Sequence, residues 1–355
     1  MVNRMTKVYM RRLLGQDDAR ISFGVNVMAA RSIFLQRASY FEQGVTMYWS
    51  VETMIVFSFA DHERMLDTLH PAMQRGNCEI RRFANGELFI SVRTPAQMEH
   101  CVVLGSVAPP DERLLSLALL SHTLKKDGSR KVTLFLPYLA YSRQDKEKPG
   151  ESLATAWVGS ILQASGVDEV LTIDVHSESD KHLFPISLVS IYPAEIFANT
   201  VMKYQLTDAT IVAPDNGAIP RCKAVSEALG RSATGIPYFQ KQRNETGIKR
   251  SDMFGSVGSR VLIIDDILDT GATLISACEK LLQTGATEIY IMVTHGLFTG
   301  PDWKKLWSLK VQRIFCTDTV PATKEILDER RITILPIGQL IKEHMALLRD
   351  IAVNR

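Results

Sequence analysis

The segment RVLIIDDILDTGATLISACEKLL, Arg260–Leu282, contains the features that decide the fold of this chain. Four apolar residues, Val261–Ile264, predict a buried strand, and the apolar periodicity that begins at Leu274 predicts a helix. Three acids and four small residues lie between them: Asp265, Asp266, Asp269 and Thr270-Gly271-Ala272-Thr273. A buried strand that leads through a small-residue loop into a helix is typical of parallel α/β proteins.

The same alternation of short apolar runs and helical periods extends over the chain from Thr53 onward. The predicted strands are Met54–Phe59, Val132–Leu136, Val170–Ile173, Ala209–Ala213, Val261–Ile264, Glu288–Val293, Arg313–Cys316 and Ile332–Leu335. The predicted helices are Arg113–Leu124, Leu153–Ser165, Ile219–Leu229 and Leu274–Thr284, with Gly166, Gly230 and Gly285 as C-caps. This alternation predicts an α/β fold of two doubly wound parallel sheets with helices on both faces.

Length and composition are those of an ordinary globular protein of about two domains. The chain has 355 residues, of which 46% are hydrophobic and 23% charged, and its formal net charge is +2. This charge argues against a dedicated nucleic-acid surface, and no apolar run is long enough to span a bilayer. Five scattered cysteines without a CxxC pair predict reduced thiols and a cytoplasmic protein.

Ligands of open parallel sheets bind beyond the carboxyl ends of the strands, so the residues after each predicted strand are informative. They are Pro137-Tyr138 with Arg143-Gln144-Asp145, Asp174 and His176, Asp215-Asn216-Gly217, Asp265-Asp266, and His295-Gly296. Acids, histidines and an arginine therefore gather where a ligand is expected. Such a concentration of charged and catalytic residue types is not expected if these segments are ordinary solvated loops.

The loop of the opening segment has the chemistry of a site for a phosphorylated sugar. Carboxylates can accept hydrogen bonds from sugar hydroxyls or hold a hard cation. Small residues at a helix start let backbone N–H groups converge on a phosphate. The chain contains neither GxxxxGK[ST] nor GxGxxG. A helix-capping turn is the alternative, but it would explain only one of the acids and one threonine.

This segment resembles the 5-phosphoribosyl diphosphate (PRPP) fingerprint of type I phosphoribosyltransferases, and its neighbours narrow the resemblance to the ribose-phosphate pyrophosphokinase family. The neighbouring segments occur in the family's order: RRFANGELFISV (Arg81–Val92), LPYLAYSRQDKEKPGES (Leu136–Ser152), VLTIDVHS (Val170–Ser177), VAPDNGAIPRCKAV (Val212–Val225), QKQR (Gln240–Arg243) and THGLFTGP (Thr294–Pro301). The resemblance implies transfer of the β,γ-diphosphoryl group of ATP to ribose 5-phosphate with Mg²⁺. It also implies a homo-oligomer built from dimers, up to a hexamer.

The resemblance further implies two phosphoribosyltransferase-like domains. The first would comprise residues 53–194 with residues 339–355, and the second residues 195–338. Residues 1–52 would form an N-terminal extension, to which no role is assigned. A transit peptide is the alternative for that extension, although Asp17-Asp18 is unusual for one.

The resemblance assigns ATP to the first domain. Phe83, Asn85 and Glu87 would contact the adenine of a neighbouring subunit's site. Arg143, Gln144 and Asp145 would contact ATP after the Val132–Leu136 strand, and a surface ion pair of Arg143 with Asp145 or Glu147 is the alternative. Asp174, His176 and Asp215 would form the metal site, and Asp215 would also contact ribose 5-phosphate.

In the second domain, the resemblance assigns the ribose hydroxyls and metal to Asp265, Asp266 and Asp269. Thr270, Gly271, Ala272 and Thr273 would hold the 5-phosphate, although many family members read D-T-A-G-T where this chain reads D-T-G-A-T. Lys241 and Arg243 would be catalytic, in a loop that closes over the reacting phosphates. A solvated charged loop is the alternative for that segment.

Two other functions remain open at this point. One is a catalytically silent homologue that regulates active subunits. The other is a type I phosphoribosyltransferase that consumes PRPP. Lys241, Arg243 and the Asp265–Asp266 pair count against the first, and the FANGE and RQD segments count against the second.

Overall fold

A computed structural model of the chain describes residues 54–68, 73–243 and 249–344. The expected extension, residues 1–52, lies outside this part, as do the side chains of residues 241–243 and 249–252. Within the described residues, no helix is both long and apolar enough to cross a bilayer.

The first half of the described chain forms a six-stranded parallel sheet in the order β2-β1-β5-β6-β7-β8. Its segments, with an antiparallel hairpin of β3 and β4, are β1 (Met54–Ser58), α1 (Glu63–Thr68), β2 (Gln74–Arg75), β3 (Cys78–Arg82), β4 (Leu88–Val92), β5 (His100–Leu104), α2 (Glu112–Lys126), β6 (Lys131–Leu136), α3 (Ala154–Ala164), β7 (Glu169–Ile173), α4 (Asp180–Leu183) and β8 (Ser187–Ile191).

The second half forms a five-stranded parallel sheet in the order β15-β14-β13-β12-β9. Its segments, with an antiparallel hairpin of β10 and β11, are α5 (Ala194–Lys203), β9 (Thr210–Val212), α6 (Ile219–Ala228), β10 (Tyr238–Arg243), β11 (Lys249–Phe254), β12 (Arg260–Leu268), α7 (Ala272–Gln283), β13 (Glu288–Gly296), β14 (Val311–Thr317), α8 (Lys324–Asp328) and β15 (Ile332–Leu335).

Both sheets are covered by apolar side chains on their two faces. Successive residues of β12 alternate between two clusters: Val261 and Ile263 pack with α7, whereas Leu262 and Ile264 pack with α5 and α6. The first sheet is likewise packed by α2 and α3 on one face. Its other face carries α1 and Ile341, from the helical residues 338–344. The predicted pair of doubly wound parallel sheets is confirmed.

The eight predicted strands and four predicted helices are all present, with ends that differ by a few residues. The C-cap prediction is confirmed at Gly166, Gly230 and Gly285, which have φ of 84°, 70° and 98°. The prediction missed β5 and β8, and it also missed both hairpins, whose strands carry many polar residues. The described cysteines are free, as predicted.

The first prediction concerns His100, a buried histidine at the start of β5. Burial, with smaller effects from Lys131 and Arg130, lowers the pKa of His100 to about 4, and its Nε2 lies 2.9 Å from Thr133 Oγ1. In the unfolded chain His100 is protonated near pH 6.5, whereas in the folded chain it stays neutral until about pH 4. His100 therefore lowers the free energy of unfolding as pH falls below 6.5. Between pH 6.5 and 5 this effect amounts to about 1.5 kcal/mol, since the unfolded histidine is already half protonated at pH 6.5.

We expect His100→Gln to remove this pH-dependent loss of stability, because glutamine does not titrate, while its amide keeps a hydrogen bond to Thr133. Urea unfolding at pH 6.5 and pH 5, followed by tryptophan fluorescence, measures it. The wild-type midpoint should fall more than the variant midpoint. His122→Gln, at an exposed position of α2, serves as the control and should follow the wild type. Identical pH dependence of the wild type and His100→Gln would contradict the prediction.

Candidate active site

A polar cleft of about 600 Å³ opens where the carboxyl ends of strands from both sheets meet. The first sheet contributes residues that follow β6 and β7: Arg143, Asp145, Lys146, His176, Ser177 and Ser179. The second sheet contributes residues at the ends of β9 and β12 and at the starts of α6 and α7: Asp215, Asn216, Gly217, Arg221, Asp265, Asp266, Ile267 and Asp269 to Leu274. The cleft therefore collects most of the sequence-predicted site residues.

The loop between β12 and α7 differs from the prediction in where the strand ends. Strand β12 continues to Leu268, so Asp265 and Asp266 lie within its carboxyl end rather than after it. Gly271 has φ of +86° and stands directly before α7, which begins at Ala272. The glycine thus occupies the left-handed position, and alanine occupies a helical position that suits it. The D-T-G-A-T order is therefore compatible with this loop.

The start of α7 faces the cleft with backbone donors. The first N–H groups of an α-helix have no partner within the helix, and together with the helix dipole they favour an anion. Thr270, Ala272 and Thr273 all line the cleft here. The geometry therefore suits the predicted phosphate cradle, which stays a prediction.

His176 and Asp266 join the two sheets across the floor of the cleft. His176 Nδ1 lies 2.6 Å from Asp266 Oδ2, although one residue follows β7 and the other lies on β12. This hydrogen bond raises the pKa of His176. For Asp266, burial raises the pKa, but the hydrogen bond to His176 and the charge of Arg221 outweigh burial and leave it below the ordinary value.

The neighbouring carboxyl, Asp265, behaves in the opposite way. Burial and the adjacent charge of Asp266 raise the pKa of Asp265 well above its ordinary value. The Asp266 backbone N–H donates to Asp265 Oδ1 over 3.0 Å. The pKa values of the two adjacent carboxyls are therefore shifted in opposite directions, as expected when two acids share one buried site.

Arg143 and Asp269 face each other across the cleft. Arg143 Nη1 donates to Asp269 Oδ2 over 2.7 Å, and both side chains remain partly exposed. The alternative partners weighed from the sequence, Asp145 and Glu147, are not those that Arg143 contacts in the structure. Asp145 accepts a hydrogen bond of 3.4 Å from Ser179 Oγ. Two predicted site segments, one from each sheet, are thus joined by an ion pair.

Asp174 does not line the cleft, in contrast to its expected place in a metal site. It is 5% exposed, and both carboxyl oxygens already have partners. Oδ1 accepts from Arg221 Nε over 2.8 Å, and Oδ2 accepts from the Thr294 hydroxyl over 2.5 Å. Burial raises its pKa to about 6 in spite of Arg221. The structure thus gives Asp174 a supporting position behind the cleft.

Several other predicted residues are not brought to the cleft. Phe83, Asn85 and Glu87 lie at the turn of the β3–β4 hairpin, where Phe83 is 45% exposed and none of the three lines the cleft. Gln144 accepts from Ser152 Oγ over 2.6 Å and also does not line it. The backbones of Lys241 and Arg243 belong to β10, so the expected loop is a strand at these positions.

Tyr138 and His295 were expected from the sequence among the residues near the ligand, but they lie behind the cleft and connect the two sheets. The rings of Tyr138 and His295 lie 4.7 Å apart. Burial lowers the pKa of His295 to about 4, so its ring is neutral at pH 7. His295 Nε2 lies 3.2 Å from the Asp174 carbonyl, and Nδ1 lies 2.9 Å from Thr319 Oγ1. His295 belongs to the THG segment at the carboxyl end of β13, a segment that the sequence analysis quoted without a role for its histidine.

None of the described side chains forms a group of three or more His, Cys, Asp or Glu that could hold a metal ion alone. The cleft nevertheless carries the oxygen ligands that Mg²⁺ prefers, at Asp215, Asp265, Asp266 and Asp269. Mg²⁺ is usually bound by one or two carboxylates together with substrate phosphates and water. The donor set therefore fits Mg²⁺ as a partner of a phosphorylated ligand.

Comparisons with known proteins place the chain in the class of phosphoribosyl pyrophosphate synthetases, in agreement with the chemistry of the site. A family model described as the N-terminal domain of ribose phosphate pyrophosphokinase matches residues 54–166. A second, the phosphoribosyl synthetase-associated domain, matches residues 208–352. The chain thus combines two halves from a single class of protein.

Curated relatives define the family more closely. The chain is 37% identical to ribose-phosphate pyrophosphokinase of Pyrococcus abyssi over 69% of this chain and 85% of the relative. It is 30% identical to that of Mesorhizobium japonicum over 76% of this chain and 87% of the relative. The chain belongs to the ribose-phosphate pyrophosphokinase family.

A solved structure supports the fold. The crystal structure of phosphoribosylpyrophosphate synthetase from Mycobacterium smegmatis superposes with a TM-score of 0.75. The match covers 84% of this chain and 99% of that chain, at 22% sequence identity. The arrangement of the two sheets is therefore shared with that protein.

The second prediction concerns Gly271. A Cβ added here would lie 3.0 Å from Trp303 Cα, and the residue would also have to keep its left-handed φ. Gly271→Ala should therefore cost about 2–3 kcal/mol of stability. Gly285→Ala is the matched control, because Gly285 is also left-handed but its added Cβ would meet no atom within 4 Å. That control should cost about 1 kcal/mol.

Thermal unfolding of both variants beside the wild type checks this prediction. The melting temperature should fall further for Gly271→Ala than for Gly285→Ala. Equal shifts would show that Trp303 does not restrict the loop.

Proposed function

We propose that this chain is a ribose-phosphate diphosphokinase that makes PRPP and AMP from ATP and ribose 5-phosphate. In this reaction the C1 hydroxyl oxygen of the sugar forms a bond to the β-phosphorus of ATP. The bond between that phosphorus and the α,β-bridging oxygen breaks, AMP leaves with that oxygen, and the hydroxyl proton is released. The observation that carries the proposal is the cleft in which the β12 carboxyls and the α7 start face Arg143 and His176.

The sugar would bind against the second sheet. Asp266 and Asp269 have pKa values below the ordinary range, so they present charged acceptors for ribose hydroxyls. The 5-phosphate would lie on the backbone donors at the start of α7, between Thr270 and Thr273. Carboxylates and helix start are separated by one short loop, which suits a pentose with a hydroxyl group at one end and a phosphate at the other.

ATP would bind on the side of the first sheet. Arg143 would exchange its ion pair with Asp269 for the phosphates of ATP, because a guanidinium binds phosphate through paired N–H groups. Asp269 would then be available to the sugar. We propose that Asp145 and Gln144 support this loop, and that Lys241 and Arg243 add positive charge beside the transferred group.

Mg²⁺ would be held by His176, Asp215 and the β12 carboxylates together with substrate phosphates. When bound, it would neutralise phosphate charge and stabilise the transition state electrostatically. Asp174 is better assigned to the support of this site than to the metal, since Arg221 and Thr294 already occupy its carboxyl oxygens. His176 orients Asp266 through the 2.6 Å contact, whether or not it also touches the cation.

We also propose the domain division expected from the sequence. Residues 53–194 with residues 339–355 would form the ATP domain, and residues 195–338 the sugar domain. The burial of Ile341 against the first sheet supports the return of the chain's end to the first domain.

The third prediction tests the activity itself. AMP release from Mg²⁺-ATP should require ribose 5-phosphate and yield PRPP. Asp266→Asn should lower kcat/KM by at least about 100-fold, because it removes a charged acceptor and weakens its contact with His176. Asp208→Asn is the matched control, since Asp208 pairs with Arg260 at the opposite end of β12. It should retain wild-type kinetics.

The three candidate functions give different results in this assay. A silent homologue would release no AMP. A phosphoribosyltransferase would instead consume PRPP and release diphosphate in the presence of a base. Folded wild-type protein that releases no AMP with Mg²⁺, ATP and ribose 5-phosphate would overturn the proposed activity.

The fourth prediction concerns the β3–β4 hairpin. We propose that Phe83, Asn85 and Glu87 complete the adenine site of a neighbouring subunit in a homo-oligomer, since they lie outside this chain's own cleft. The Asn85→Ala substitution would then impair the hairpin that one subunit contributes to a shared site. The Asp266→Asn substitution would impair the cleft that the other subunit contributes. Subunits refolded together at equal amounts should recover up to about a quarter of wild-type activity, since random pairing unites both intact halves in that share of sites.

Light scattering should report an assembly larger than one chain. Mixtures no more active than the separate variants would rule out a shared site.

A further inference from the structure

Arg221 is a buried arginine on α6 to which sequence reasoning assigned no role. Its side chain is 9% exposed and lies at the floor of the cleft. Nε donates to Asp174 Oδ1 over 2.8 Å, and Nη1 donates to the Gly217 carbonyl over 3.1 Å. Nη2 donates to the carbonyls of Val175 and His176 over 2.8 and 3.1 Å. All three guanidinium nitrogens are therefore in use.

These contacts connect segments that are far apart in the sequence. Val175 and His176 follow β7 of the first sheet, and Gly217 belongs to the turn that Asp215 begins at the end of β9. Nη2 also lies 3.8 Å from Asp266 Oδ2 on β12. One planar group thus contacts each of the three segments that carry His176, Asp215 and Asp266.

The backbone around Asp174 shows that this arrangement is constrained. Asp174 has φ of +44°, a left-handed value that an aspartate adopts only at some cost. Arg221 and Thr294 hold its carboxyl group, and His295 Nε2 contacts its carbonyl oxygen. The turn that directs His176 into the cleft is therefore held by side chains of the second half of the chain.

Arg221 has few ways to contact a substrate directly, because its donors point to protein oxygens. A buried charge without a partner is strongly unfavourable, and Asp174 supplies the partner in the interior. The guanidinium also has the planar set of N–H donors needed to reach Asp174 and three carbonyls together. An ammonium group offers its donors from one atom and cannot span these acceptors.

We propose that Arg221 is a positioning residue that sets the orientation of His176 and of the Asp215–Gly217 turn toward the reacting phosphates. The inference rests on the proposed function, which it deepens. Misplacement of a catalytic group by about 1 Å can lower a rate about 100-fold, so loss of these contacts should lower kcat. The α7 phosphate cradle does not depend on Arg221, so the KM for ribose 5-phosphate should change less.

If the ion pair of Arg221 and Asp174 served only to stabilise the fold, its replacement by neutral residues would leave kcat unchanged. A double variant without either charge therefore distinguishes a structural role from a positioning role. Arg221→Met alone would leave the Asp174 carboxyl buried and unpaired, and it could fail to fold. Arg221→Met combined with Asp174→Asn removes both charges, while the amide can keep its contact with Thr294. Arg221→Lys keeps the positive charge but removes the planar set of N–H donors. Arg260→Lys is the matched control, because Arg260 pairs with Asp208 and Glu288 at the far end of β12.

The experiment measures thermal unfolding, kcat and the KM for ribose 5-phosphate for these variants and the wild type. For Arg221→Lys and the double variant we expect kcat to fall about 100-fold, with a KM within about threefold of wild type. The double variant should melt near the wild-type temperature, and Arg260→Lys should keep wild-type kinetics. A folded double variant with wild-type kcat would overturn the inference, as would an increase confined to KM.

Hydrogen exchange gives a second readout that does not depend on turnover. In Arg221→Lys, amides of residues 174–180 and 215–218 should exchange faster, while those of α7 should stay as in the wild type. Unchanged exchange in both segments would overturn the positioning role. An inactive wild-type protein would instead overturn the proposed function, so the two failures can be told apart.

Discussion

The buried charges between the two sheets are the constraint on which the site depends. Asp174 and Asp266 come from different sheets, and neither carboxylate can stay ionised in the interior without a nearby cation. Arg221 bonds to Asp174 and lies 3.8 Å from Asp266, while His176 contacts Asp266 directly. Because Asp174 and His176 follow β7, Asp266 lies on β12 and Arg221 lies on α6, these charges also set how the three segments meet.

The cleft divides its chemistry between the two halves of the chain. The second sheet provides carboxylates and a helix start within one short loop, which suits a small phosphorylated sugar. The first sheet provides Arg143 and His176, which suit phosphates and their cation. The ion pair between Arg143 and Asp269 shows that the two halves are complementary in charge before any ligand binds. Substrate phosphates can replace Asp269 at Arg143 and extend this pattern.

The loop before α7 shows how a departure from a family pattern can be physically conservative. What the loop requires is one left-handed residue beside Trp303 and free N–H groups after it. Gly271 meets the first requirement, and Ala272 leaves the N–H groups in place. The order of these two residues is therefore matched to the backbone rather than to phosphate chemistry.

The sequence alone determined the strand–helix alternation and the residues at the carboxyl ends of the strands, because apolar periodicity and small-residue loops are local features. It also indicated the phosphorylated sugar through the Asp265–Thr273 segment. Only the tertiary structure brought Arg221, Thr294 and His295 to Asp174, which is more than 40 residues away from each of them in the chain. The structure also showed that Asp174, which was expected at the metal site, lies behind the cleft with its carboxyl group bonded to Arg221 and Thr294. Burial and hydrogen-bond partners depend on how the two sheets meet, and no local pattern contains that information.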